Sequence, residues 1–145
     1  MIDAVLIPFD GSDRAQGAVS YGIDLAKQYG ATVHAIYVIE TKAHYIYTVA
    51  GHDPEEMKEY EEYGREIVEN VVDEAVEEGL DGVGVVKKGR VAEEIVEYAE
   101  ENGIDTIVMG AQGRSGIDKY LIGSTTEKVI RTSSVPVTTV RPGSP

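Results

Sequence analysis

The chain has 145 residues, about one domain, and is long enough to bury a core without disulfides. It contains no cysteine, which excludes a disulfide scaffold, thiolate metal sites and cysteine nucleophiles together. Its 26 acidic and 13 basic residues leave a net charge of -13, which argues against a nucleic-acid partner, because such proteins need a basic footprint.

Met1-Ile2-Asp3 leads directly into an apolar run with no basic n-region, and no apolar stretch approaches the roughly 20 residues that span a bilayer. The chain therefore reads as cytoplasmic, with no membrane partner. Residues 1–141 read as one domain and 142–145 as a tail.

Ala4–Phe9 is a short apolar run closed by Asp10-Gly11-Ser12-Asp13, a buried strand followed by a turn. Pro8 lacks a ladder donor and suits the strand's end. Ser12 or Asp13 can cap a helix whose apolar positions are Ala15, Ala18, Val19, Gly22, Ile23, Ala26 and Tyr29, with Gly30 as its stop. Ala31–Ile39, rich in β-branched and aromatic residues, is a second strand. His34 within it reads as a packed strand residue, since a metal site needs several ligands and His44 and His52 share no recognised spacing with it.

Residues 40–52 show no period and form the longest candidate loop. Tyr45 and Tyr47 there either cover a ligand or pack on a neighbouring surface. Asp53-Pro54-Glu55-Glu56 is a strong helix start, and Met57, Tyr60, Gly64, Ile67, Val68, Val71, Ala75 and Val76 mark the buried stripe. The glutamates of this helix read as solvated surface. Gly82–Lys87 is a third strand. A helix follows Gly89-Arg90, with Ala92, Ile95, Val96 and Ala99 inward and Glu93, Glu94, Glu97, Glu100 and Glu101 outward.

Residues 104–128 carry the chemistry. Ile104–Met109 reads as a fully buried strand, Gly110 begins a turn, glycines recur at Gly113, Gly116 and Gly123, and Ser124-Thr125-Thr126-Glu127 has the spacing of a helix capping box. The first amides of a helix lack intrahelical acceptors and sit at the positive end of its dipole, where a phosphate is favoured. Glycines let the backbone approach such an anion closely, although they also serve simply as turns. Helix 124–133 and a fifth strand, Val135–Val140, complete the chain, and Pro136 places that strand at a sheet edge.

Five strands alternating with four helices imply an α/β fold, a single open parallel sheet covered on both faces. Ligands of such sheets bind beyond the carboxyl ends of the strands, where the winding reverses. If the first and fourth strands are neighbours there, Asp10 and Gly110 stand side by side.

Gly110-Ala111-Gln112-Gly113, nine residues, then Gly123-Ser124 resembles the G-2x-G-9x-G-S/T pattern of the ATP-binding branch of the universal stress protein family. The first two strand ends, Ile7-Pro8-Phe9-Asp10-Gly11-Ser12 and Tyr37-Val38-Ile39, resemble that family as well. The resemblance implies a Rossmann-like sheet of order 3-2-1-4-5 and a homodimer paired through Val135–Val140. It implies ATP as the ligand, with Mg²⁺ or Mn²⁺ held by the phosphates. Asp10 would contact the ribose, the backbone near Val38 the adenine, and Gly110, Gly113, Gly123, Ser124 and Thr125 the phosphates. Pro8 and Met109 would line the same site.

Some of these residues have a second reading. Asp10 also suits a turn, Ser124 also suits a cap, and Arg114 either reaches a phosphate or points into solvent. Asp118, Lys119 and Glu127 have no spacing that assigns them a catalytic role, and no catalytic residue is expected. A regulatory ATP-binding module, a slow ATPase acting as a timed switch, and a nucleotide-independent interaction or protective protein remain open as functions.

Overall fold

The computed structural model describes residues 1–40, 54–111 and 123–141. They hold five strands and four helices: β1 (Ala4–Pro8), α1 (Asp13–Tyr29), β2 (Thr32–Glu40), α2 (Pro54–Glu77), β3 (Gly82–Gly89), α3 (Val91–Glu101), β4 (Thr106–Gly110), α4 (Ser124–Thr132) and β5 (Val137–Val140). The strands form one parallel sheet in the order β3-β2-β1-β4-β5.

A central parallel strand is buried on both faces, so it reads as an unbroken apolar run. In β1, Val5 and Ile7 face the core beneath α1 and α2, while Ala4 and Leu6 face the core beneath α3 and α4. Gly22 brings α1 close to the sheet: a Cβ there would lie 2.6 Å from Ile7 Cδ1 and 3.6 Å from Val108 Cβ.

Strand ends shift by one or two residues from the sequence expectation, each for a local reason. β1 stops at Pro8, although the amide of Phe9 still donates to the Ile36 carbonyl at 2.9 Å. β2 runs to Glu40 and β3 to Gly89, because the two remain paired through Glu40 and Gly89. Ile104 precedes β4: its amide turns back to the Ala99 carbonyl to close α3. Ser133 Oγ bonds both the amide and the carbonyl of Val135, holding that residue in a turn, so β5 begins at Val137.

The helical stripes also need corrections. Tyr29, Tyr60 and Val76 are exposed: Val76, one step beyond buried Ala75, is rotated off the stripe, whereas Tyr29 and Tyr60 keep its phase but stand beyond its buried stretch, toward the helix ends. On α3 the buried face includes Tyr98, and Val96 is only half-buried. Glu94 turns partly inward against Gly89, and burial, with Glu97 nearby, pushes its carboxyl above the usual range.

His34 packs from β2 onto α3, as expected of a strand residue. Its Nδ1 lies 2.7 Å from the Tyr98 hydroxyl and the rings meet edge to face. Burial lowers the imidazole below its ordinary value. Asp53, the expected cap of α2, lies outside the described residues, as do His44, His52, Tyr45 and Tyr47.

Two outcomes follow from this packing. Gly22→Val forces a branched side chain against Ile7 and should lower unfolding stability by about 1–3 kcal/mol, read from the urea midpoint. Because the imidazole of His34 is harder to protonate folded than unfolded, its contribution is complete above the ordinary histidine range and is lost as pH falls. Urea midpoints from pH 8 to pH 5 should therefore fall further in the native chain than in His34→Gln; parallel curves would contradict the assignment.

Candidate functional site

The winding direction reverses between β1 and β4, which are neighbours through Val5–Thr106 and Leu6–Ile107. Beyond their carboxyl ends lies a cavity of about 300 Å³, within the range of small-molecule sites. Pro8, Phe9 and Asp10 come from the exit of β1, and Met109, Gly110 and Ala111 from that of β4. Ile36, Tyr37 and Val38 on β2 and Val91 and Ile95 on α3 supply an apolar wall, and the first turn of α4 closes the other side.

The helix entrances at this end are not equivalent. Ser12 caps α1, its hydroxyl accepting the Ala15 amide at 3.2 Å. The amide of Val91 at the start of α3 donates to Glu40 Oε1 at 3.1 Å, so a carboxylate of the chain already occupies that positive end. At α4 no side chain among the described residues plays this part.

This corrects the expected capping box. The N-cap of α4 is Gly123, which has no side chain, and Ser124 is the first residue inside the helix. The Gly123 carbonyl accepts the first intrahelical bond, from the Glu127 amide at 2.9 Å. The amides of Ser124, Thr125 and Thr126 thus precede the first intrahelical donor, and their turn borders the cavity. An anion fits this corner on electrostatic grounds. Glu127 does not fold back to the cap; it pairs with Arg131 at 3.7 Å on the exposed face.

Asp10 stands on the β1 side. Its Oδ1 accepts the Ser12 amide at 2.9 Å, so the turn role considered for it is real, and the exposed carboxylate also lines the cavity. Gly11 follows with φ +84°. Over this turn lies Tyr63 of α2, whose hydroxyl is 3.4 Å from the Asp10 carbonyl and whose ring meets that of Tyr37 edge to face at 5.7 Å. Burial, helped by Tyr63 and Asp10, raises the Tyr37 phenol above its ordinary value, which keeps it a neutral hydroxyl at the cavity wall.

The structure thus gathers Pro8, Asp10, Val38, Met109, Gly110, Gly123, Ser124 and Thr125 around one cavity. Gly113 and Arg114 lie outside the described residues, as do Gly116, Asp118 and Lys119. Sequence reasoning placed Ile95 on a core face and gave Val91 no role, whereas both line the cavity. It also missed Thr126, hidden behind the serine of the motif. Among the described residues no group of three or more His, Asp or Glu side chains could hold a metal ion.

A sequence model described as the universal stress protein family matches residues 1–141. Universal stress protein MJ0531 of Methanocaldococcus jannaschii is 35% identical over 137 residues, covering 94% of this chain and 81% of the relative. The solved structure of MJ0577, from the same organism, superposes with a TM-score of 0.85 at 29% identity, covering 100% of this chain and 99% of that one. A universal stress protein solved in complex with cAMP is 25% identical with a TM-score of 0.69, over 97% of both chains.

The Asp10–Gly11 turn gives a direct test. Gly11→Ala imposes a left-handed conformation costing about 1–2 kcal/mol and places a Cβ against the Tyr63 hydroxyl. Its urea midpoint should fall, and the ring signals of Tyr63 and Tyr37 should move in aromatic NMR spectra; unchanged rings would contradict the described contact.

Proposed function

The chain belongs to the universal stress protein family, and from that premise we propose that it is a regulatory module that binds ATP. The observation that carries this reading is the α4 entrance, uncapped by any side chain among the described residues and bordering the same cavity as Asp10. A relative of the same fold in complex with cAMP supports an adenine nucleotide as the ligand class.

In this reading the amides of Gly123, Ser124 and Thr125, with the Ser124 and Thr125 hydroxyls, hold the phosphates. Gly110 and Met109 at the β4 exit border them, and Gly113 and Arg114 belong to the same loop in sequence. The Asp10 carboxylate accepts from the ribose hydroxyls, a charge-assisted bond. Val38 and Pro8 flank the base, against the apolar wall of Ile36, Val91 and Ile95. Mg²⁺ or Mn²⁺ arrives on the phosphates and reduces their charge, as hard cations do with nucleotides.

We also propose a cytoplasmic homodimer paired through β5. That strand is a sheet edge. The opposite edge is guarded: Arg65 of α2 donates to the β3 carbonyl of Gly84 at 3.4 Å, and Lys88 pairs with Glu61.

Gly123 has φ -53° and ψ 156°, a conformation open to any residue, so Gly123→Val tests crowding and not backbone strain. Titration calorimetry with Mg·ATP should show affinity at least about tenfold weaker in this variant, a difference of about 1.4 kcal/mol, with the circular dichroism spectrum unchanged. Equal affinity would remove the phosphate site from this corner, and no heat from the native chain at millimolar ATP would remove nucleotide binding itself.

A further inference from the structure

Thr126 is a polar residue placed among the core, 5% exposed, in the first turn of α4. Its Oγ1 donates to the carbonyl of Gly110 at 3.1 Å. That bond joins the last residue of β4 to the third residue of α4, across the interval from Gly110 to Gly123. Thr106 does the same at the other end of β4, donating to the Pro136 carbonyl at 3.2 Å. A buried hydroxyl is kept where it satisfies a specific acceptor, since burying it unpaired is unfavourable.

We propose that Thr126 is a positioning residue for the polyphosphate, latching the amides at the α4 entrance to the exit of β4 and occupying the Gly110 carbonyl. The inference rests on the reading of this cavity as an adenine nucleotide site. Two physical effects act together. The latch fixes where the amides of Ser124, Thr125 and Thr126 point relative to Gly110 and Ala111, and a pre-oriented donor set binds without ordering cost. The hydroxyl also satisfies the carbonyl oxygen of Gly110, a residue that lines the cavity. Left bare, that oxygen would repel a phosphate where water screens it least. Thr126 itself need not touch the ligand.

Its action therefore falls on the phosphates and not on the base or ribose, which lie toward Asp10 and Val38. Thr126→Val keeps the β-branched shape and removes the donor, while Thr126→Ser keeps the donor. Calorimetry on the full chain with adenosine, ADP and Mg·ATP should show Thr126→Val weakening ADP and ATP roughly three- to tenfold, the worth of one hydrogen bond, with adenosine changed less than about twofold. Thr126→Ser should restore the nucleotide affinities.

If native protein binds ATP and Thr126→Val binds it equally, the positioning role falls and the nucleotide reading stands. A parallel loss for adenosine and ATP would show a general structural role and overturn the proposal. If the native chain binds none of the three, both readings fall together. Should Thr126→Val not fold, Thr126→Ala, which has no branched group to misfit, is read by the same three ligands and the same criteria.

Discussion

The first turn of a helix presents amides that need acceptors, and much in this molecule follows from which entrances supply them internally. Ser12 serves α1 and Glu40 serves α3, whereas α4 begins at a glycine with no side chain to offer. The parallel sheet brings these entrances to one end, because every crossover returns its helix to the amino end of the next strand. The α4 entrance stands beside the β4 exit and across the cavity from Asp10. In the proposed reading, the acceptor that no described side chain supplies there comes from the anionic ligand.

Such a site would reconcile the proposed anion binding with a net charge of -13. Charges on the solvent-exposed glutamates of α2 are screened over about 8 Å at physiological ionic strength, and backbone donors within hydrogen-bonding reach act at shorter range. The acidic surface also forms internal pairs, Lys27 with Glu78 at 2.7 Å and Lys128 with Glu93 at 3.8 Å, all exposed and individually weak.

Most of the architecture was legible in the chain because parallel strands are apolar throughout and their helices amphipathic. The runs around Val5–Ile7 and Ile107–Met109 located β1 and β4. β3 was ended at Lys87 in the reading because Lys88 and Gly89 carry no apolar signal, although the ladder continues through both at this sheet edge. The capping box at Ser124 had the right letters, but the carbonyl that accepts the first helical bond belongs to Gly123. Helix spacing marks Ile95 as buried and cannot say whether it meets another side chain or a ligand. Thr126 was invisible for a similar reason: its partner is a carbonyl 16 positions away, fixed only by the fold.

The most direct test is a series of amide proton–nitrogen spectra recorded while Mg·ATP is added to the native chain. The account predicts progressive, saturable shifts concentrated at Gly123, Ser124, Thr125 and Thr126, with a second set at Gly11 and Ser12 and little change along the exposed face of α2. If ATP binds while the α4 entrance stays still and the shifts fall elsewhere, the central claim is wrong.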